Sequence, residues 1–442
     1  MVLIIMAAMS LQAQDNGQEE PRQVSLSAQE EALVNGNNDF AFRLFRQTRT
    51  NSDMVLSPLS VTYALGLLNN GAVGQTRQEI CQTLGFGDAG ADGINAFCKK
   101  MLTELPTLDE LTKVMISNAI YLNEPRYLLP DFEQKAHDYY QATTETRNFD
   151  DGETMNVINQ WASDHTMGMI DEVLNEDSFD PCAASYLFNA VYFKGVWTLK
   201  FDKEETQNEL FDGAGIVPMM HQTKMLPYME NEQCQALILP YGNQAYTMTI
   251  LLPREGKTVA DVASTLNAEQ WNSYRWMRQE TVDVKLPRMD ITTSVNLVET
   301  MTELGMPRAF DPMTAEIPDY CNIPQYISNM FQVAKIKLDE EGTEAAAVTV
   351  IETTDTAIPD EPKLYEFHAN RPFLYVISEQ STGVILFIGQ FMGAGSANSS
   401  PASVSSPVVQ QTESVCYDLA GRRLSGKPAK GFYIENGRKV IR

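Results

Sequence analysis

Four histidines are the first residues to weigh, because imidazole is the commonest general base and metal ligand. They are His137, His165, His221 and His368. None stands in HExxH or another metal-ligand spacing, so no metal site is expected. The chain also lacks the GxSxG turn that presents a nucleophilic serine and the GxxxxGK[ST] loop that cradles phosphates. A nucleophile–His–carboxylate site can assemble in space without a local signature, but nothing here points to one. One GxGxxG does occur, at Gly85, Gly87 and Gly90. A dinucleotide site needs a strand before that motif and a helix opening after it. Thr76–Leu84 instead has helical spacing, with Ile80 and Leu84 four apart, so Gly85 reads as a helix stop. The carboxylates Asp339-Glu340-Glu341 could serve acid–base chemistry; a solvated charged turn is the simpler reading. Neither an enzyme activity nor a cofactor is expected.

Composition agrees with that outcome. The chain has 442 residues, 43% of them hydrophobic and 21% charged. This is ordinary for a globular protein with a large core. A prior of ~150 residues per domain leaves the domain count open. Acidic residues number 58 and basic residues 33, for a net charge of −25. Such a surface repels phosphate backbones, so nucleic acid is a poor partner. No apolar run reaches the ~20 residues that a membrane span needs. Six cysteines are spread from Cys81 to Cys416 with no CxxC pair. They read as small buried apolar residues, with one or two bridges left open.

The two ends read differently from the body. Val2–Ala8 is a short apolar run followed by small and polar residues, which reads as a secretory signal over 1–14 and a polar leader over 15–24. The alternative is an ordinary buried first element. Residues 393–412 are rich in Gly, Ser and Pro and read as a linker. From Glu413 to Arg442 seven basic residues face three acidic ones. This tail holds short alternating segments and a hairpin-type Asn436-Gly437. Its run CYDLAGRRL…KGFYIENGRKVIR resembles the C-terminal sorting tails of type IX secretion cargo in Gram-negative bacteria; the alternative is a small packed β-appendage.

The body, 25–392, mixes helices and strands and is expected to be an α+β domain with several sheets. Gly36–Gln47 has a helical apolar face of Phe40, Leu44 and Phe45. Ser57-Pro58 is a helix N-cap followed by a first-turn proline. Val114–Leu122, Ala184–Phe193, Met248–Leu252, Thr281–Leu286, Leu374–Ile377 and Val384–Ile388 read as strands. So does Lys335–Leu338. After it comes DEEGTEAAAVTVIETTDTAIPDEP, residues 339–362, opening with a turn at Gly342. At period two, one face carries Thr343, Ala345, Ala347, Thr349, Ile351 and Thr353 and is free of charge. The other carries Glu344, Ala346, Val348, Val350, Glu352 and Thr354. Such a segment can slot into a sheet, yet its flanks are polar like an exposed loop. GTEAAAV alone could start a helix; the β-branched run Val348–Ile351 weighs against that.

These segments, in this order, resemble the serpins. The resemblance rests on Ser52–Val61 (SDMVLSPLSV), Asn118–Tyr121 (NAIY), Asn159–Leu174, Phe188–Trp197 (FNAVYFKGVW), Pro218–Met220, Leu286–Arg288, Asp339–Ala347, Asn370–Leu374 (NRPFL) and Leu386–Gly389. It implies the serpin fold, helices around three β-sheets with an exposed reactive-centre loop. It also implies a suicide-type inhibitor of serine proteases, with cysteine proteases as a second class. The cleaved loop would enter the main sheet as a new strand while the protease is still an acyl-enzyme. The implied hinge is Glu340, Gly342, Thr343, Glu344, Ala345, Ala346 and Ala347. Arg288 and Trp197 match the breach at the top of the sheet, where Arg288 would pair with Glu340. Ser57, Ser60 and Asn189 match the shutter beneath the sheet's midpoint, and Gln332 replaces the family's usual histidine there.

Counting from Glu340 places the reactive bond at Thr356–Ala357; counting back from Asn370 spreads it from Asp355 to about Glu361. Thr356 suits an elastase-like pocket and Asp355 an Asp-specific one, while the absence of Arg and Lys from Gly342 to Pro362 disfavours trypsin-like targets. The signal-like N-terminal run and the sorting-like tail imply a bacterial protein that is secreted or held at the cell surface, and a monomer is expected. The second functional reading is a non-inhibitory serpin acting as a secreted binding or chaperone protein.

Overall fold

The computed structural model describes residues 22–213, 215–343 and 363–393, and the backbone of short strands between 416 and 441. Contacts divide the chain into two units, 1–397 and 398–442. The first helix, α1, runs Ala28–Thr48, eight residues earlier than the Gly36 start read from the apolar face. The cause is a capping box: the Ser27 side chain accepts from the Glu30 amide while Glu30 reaches back to the Ser27 amide. Helix α2 (Pro58–Asn69) opens as expected, with Ser57 as N-cap and Pro58 in the first turn. Helix α3 is Gly74–Thr83. Further helices include Gly90–Glu104, Pro130–Tyr140 and Glu153–His165.

The strands of the first unit are β1 (Met54–Leu56), β2 (Thr112–Asn123), β3 (Thr143–Arg147), β4 (Ser185–Val196), β5 (Gln207–Phe211), β6 (Gly215–Glu230), β7 (Cys234–Tyr241), β8 (Tyr246–Pro253), β9 (Arg278–Pro287), β10 (Met289–Asn296), β11 (Phe331–Asp339), β12 (Gly342–Thr343), β13 (Leu364–His368), β14 (Phe373–Glu379) and β15 (Ile385–Phe391). They form two sheets. One has six strands in the order β10-β11-β12-β4-β2-β3. The other has nine, in the order β1-β15-β14-β8-β7-β6-β9-β13, with β5 on β6. The three sheets expected from the resemblance become two because the 16-residue β6 pairs with β9 along one half and with β7 near its end.

The core follows from this layering. Alternate residues of β4, Val191 and Phe193, join the main core with α1, α2 and the nine-stranded sheet. The intervening Tyr186, Phe188 and Ala190 join a second cluster with Ile158, Trp161 and Ala162 of helix Glu153–His165, which covers the opposite face. In the second unit, backbone pairing gives a four-stranded sheet. Its hairpin pairs Glu435 with Arg438 across the two residues Asn436-Gly437.

The GxGxxG motif is a helix exit. Gly85 comes just after Leu84, the C-cap of α3, with φ +79°, and a Cβ there would lie 2.1 Å from the Gly36 carbonyl oxygen. Gly87, also at positive φ, has open space beside it. Gly85→Ala should therefore destabilise the protein by at least about 2 kcal/mol in urea unfolding, while Gly87→Ala costs about 1 kcal/mol of backbone strain alone. Equal costs would contradict the packing role of Gly85.

Candidate functional site

The six-stranded sheet is interrupted at its centre. β11 ends at Asp339, the chain turns at Glu340–Glu341, and β12 comes back between β11 and β4 for two residues. The pairs are Asp339↔Gly342 and Leu338↔Thr343 on one side, and Val196↔Gly342 and Gly195↔Thr343 on the other. The turn expected at Gly342 thus lies two residues earlier, and Gly342 already belongs to the sheet. Its φ is +145° and a Cβ would lie 2.1 Å from the Gly195 carbonyl oxygen, so only glycine fits this slot. Among the described residues no ladder joins β11 and β4 below Thr343.

The turn is held from every side. Arg288 Nη2 and Nε donate to Glu340 Oε1 at 2.6 and 2.9 Å, and the Thr206 hydroxyl donates to the same oxygen. The Glu340 side chain is 2% exposed, that of Arg288 44%. Burial pushes the Glu340 carboxyl up; the bonds from Arg288 and Thr206 outweigh it, so the group lies below the usual range. Glu341 Oε2 accepts from Lys200 at 2.6 Å and Oε1 sits 3.1 Å from Lys203. Lys200 above all, then Lys203, lowers the Glu341 carboxyl against partial burial. The Trp197 amide donates to the Glu341 carbonyl at 2.8 Å and its indole Nε1 to the Asp339 carbonyl at 2.9 Å. The Trp197 ring stacks on Tyr241 with centroids 4.4 Å apart. Tyr241 shares a 2.7 Å hydroxyl–hydroxyl bond with Thr343.

Beneath this clamp lies the second cluster. Gln332 on β11, 5% exposed, donates to the Ser57 carbonyl at 2.7 Å and accepts from the Ser57 amide at 3.2 Å. Ser60 donates to the Asn189 carbonyl at 3.4 Å. Asn189 Nδ2 donates to Asn118 at 2.7 Å, while its Oδ1 is buried without a hydrogen-bond partner. A cavity with about 50 Å³ of room for water centres opens here, lined by Ser60 and Leu65 of α2, Leu187 and Asn189 of β4, and Met330 and Gln332.

Sequence reading named Glu340, Gly342, Thr343, Arg288 and Trp197, and the structure gathers them at one end of the gap. It gathers Ser57, Ser60, Asn189 and Gln332 at the other. Glu344, Ala345, Ala346, Ala347, Asp355, Thr356 and Ala357 lie outside the described residues. Sequence reading missed Lys200, Lys203, Thr206 and Tyr241; they come from two separate segments, 200–206 and the end of β7, and no spacing rule links them to the turn. It also left His221 and His368 without a partner, and both bond to Asp283.

Arg288→Ala leaves a buried carboxylate short of its main partner. It should lower stability by about 2 kcal/mol in denaturant unfolding. Because the Glu341 carboxyl is lowered in the fold, its contribution is present above the ordinary glutamate range and lost as pH falls through the depressed value. Glu341→Gln should therefore lower Tm more at pH 7 than at pH 3. An equal loss at both values would exclude the charge pairing as its source.

The comparisons with known proteins agree with this geometry. The family model described as serpin (serine protease inhibitor) matches residues 35–394. An uncharacterized serpin-like protein of Thermococcus kodakarensis is 32% identical over 376 residues, covering 82% of this chain and 86% of that one. The crystal structure of tengpin, a thermophilic serpin, in its native state superposes with a TM-score of 0.75 at 29% identity, covering 84% of this chain and 96% of tengpin. Its latent state gives 0.72 at 28%, covering 85% of this chain and 100% of that one. Human thyroxine-binding globulin complexed with thyroxine gives 0.74 at 25%, covering 82% and 98%. With its central sheet parted around Gly342 and Thr343, and with a family match across most of its length, this chain belongs to the serpin family.

Proposed function

We propose that this serpin is an irreversible, suicide-type inhibitor of serine proteases with elastase-like specificity. A protease would attack near Thr356–Ala357 and form an acyl-enzyme; the loop would then continue the strand that Gly342 and Thr343 begin. The observation that carries this reading is the two-residue β12, below which no further ladder joins β11 and β4 among the described residues.

Continuing the register tests whether these residues fit. Ala345 would lie between Ile336 and Phe193, Ala347 between Ala334 and Val191, Thr349 between Gln332 and Asn189, and Ile351 between Met330 and Leu187. All four would turn toward the core, as their charge-free face requires. Thr349 would bring a hydroxyl to the unpaired Asn189 Oδ1, and Ile351 would enter the cavity below it. On the opposite face Glu344 would land between Lys194 and Lys337, an ion-pair position. Insertion would convert open strand edges into ladder bonds and bury apolar surface, both downhill. Thirteen residues from Thr343 would extend about 40 Å down the sheet.

The second reading, a binding serpin, has a neighbour in thyroxine-binding globulin, whose structure holds thyroxine. The small, charge-free hinge residues Ala345–Ala347 favour the inhibitor. We further propose a secreted or surface-exposed bacterial monomer, with residues 1–14 as a signal and 413–442 as a sorting tail.

Incubation with an elastase-type protease should give a complex that survives SDS gels, and mass spectrometry of the released fragment should start at Ala357 or within a few residues of it. Cleavage without a complex, or a cut after Lys363, would overturn the reading. The cleaved protein should melt well above the intact one. Lys194→Glu with Lys337→Glu should divert most of the reaction from complex to simple cleavage.

A further inference from the structure

The core-facing side of β9 changes character before the strand ends. At period two it carries Leu286, Val284 and Val282, all fully buried, and then Glu280 and Arg278. Two charges thus stand where the packing face of the strand continues. The neighbouring strands place rings beside them. Tyr228 of β6 is the cross-strand partner of Arg278, and Tyr365 of β13 is that of Val282. Opposite them, the connection from the helix Ala268–Tyr274 into β9 supplies Trp276 and Met277. These walls enclose a cleft with about 330 Å³ of room for water centres, enough for a small molecule.

The rings are set in place without a ligand. Tyr365 packs on Tyr228 with centroids 4.9 Å apart. The Tyr228 hydroxyl accepts from Gln235 at 2.8 Å and donates to Glu230 at 3.0 Å, and Glu230 also pairs with Arg254 at 3.1 Å. Trp276 is 70% exposed. Cations already gather on these rings: Lys363 Nζ lies 4.1 Å from the Tyr365 centroid, and the Arg275 guanidinium 5.6 Å from that of Trp276. The two charges on β9 are in a different state. Among the described residues, neither the Arg278 guanidinium nor the Glu280 carboxylate has a hydrogen bond or an ion pair.

A free cation and a free anion on one wall call for a ligand that carries both signs. Arg278 offers a fork of N–H donors that suits a phosphate. The rest of the lining decides the nature of the ligand's cation. A primary ammonium brings three N–H donors that need acceptors. Of the two carboxylates that line the cleft, Glu230 is committed to Arg254 and Tyr228, which leaves Glu280 alone. A quaternary ammonium has no donors to satisfy; it needs ring faces and one negative charge nearby. We infer that this cleft binds a small zwitterion of the phosphocholine kind, with its trimethylammonium group against Trp276 and Tyr365 beside Glu280 and its phosphate on Arg278. Residues two apart on a strand are separated by about 7 Å, a distance that a link of a few bonds between the two charges covers. The site goes beyond the inhibitor reading and does not depend on it.

Titration calorimetry of the intact full-length protein with phosphocholine tests this, and a single site with a Kd of about 0.1 mM is expected. Choline and inorganic phosphate each lack one end and should bind at least about tenfold more weakly. L-Phenylalanine, a zwitterion with a primary ammonium, should also bind at least about tenfold more weakly. Trp276→Ala and Arg278→Ala should each weaken phosphocholine about tenfold, and Glu280→Gln about fivefold. A readout that needs no variant is saturation transfer by NMR, which should run from the protein to the trimethylammonium protons. Phosphatidylcholine vesicles identify the source: a protein that sediments with them and is released by phosphocholine takes a lipid headgroup, and one that binds phosphocholine without sedimenting takes the free molecule. Absence of both heat and transfer with phosphocholine, unchanged affinity in Trp276→Ala or Arg278→Ala, or choline or L-phenylalanine binding as tightly as phosphocholine would overturn the inference.

Discussion

Everything in this molecule is arranged around a pair of strands that face one another and that, among the described residues, are joined by two residues of a third. Backbone amides and carbonyls need partners, and a sheet edge in the middle of a protein is an unusual place to leave them waiting. Among the described residues, β4 and β11 are in that position below Thr343. The surrounding contacts fall into two groups accordingly. Around the turn, Arg288, Thr206, Lys200, Lys203 and Trp197 fix where the third strand starts. Beneath the midpoint, Gln332 ties β11 to the first turn of α2, and Asn189 and Asn118 tie β4 to β2.

Gln332 shows how a local substitution changes character without losing its place. Both ends of its amide are used by the backbone of one residue, Ser57. A neutral imidazole could make similar bonds, but an amide makes them at every pH. Opening should thus respond little to mild acid at this point of the sheet.

How much of this could be read from residues alone depended on how local the signal was. The α2 start was legible because Ser57-Pro58 carries its own cap and first turn. The strands were legible from apolar runs such as that of β2. The start of α1 was misplaced because the reading followed the apolar face and overlooked the Ser27–Glu30 box. The turn was set two residues late because glycine is so often a turn residue; here Gly342 serves close strand approach to Gly195. Arg288 and Glu340 were paired only through the family resemblance, since 52 positions separate them in the chain. Lys200, Lys203 and the His221–Asp283–His368 cluster carried no signal, because lone charged residues look alike until folding juxtaposes them.

The length of β6 has a consequence of its own. It pairs with β9 over ten residues, Met219 to Tyr228, but with β7 over only three, Tyr228 to Glu230. The two halves of the nine-stranded sheet therefore share one continuous backbone and a narrow ladder. A change of angle between them would disturb few hydrogen bonds if it is taken up beside Tyr228, so that short junction is the natural crease of the sheet.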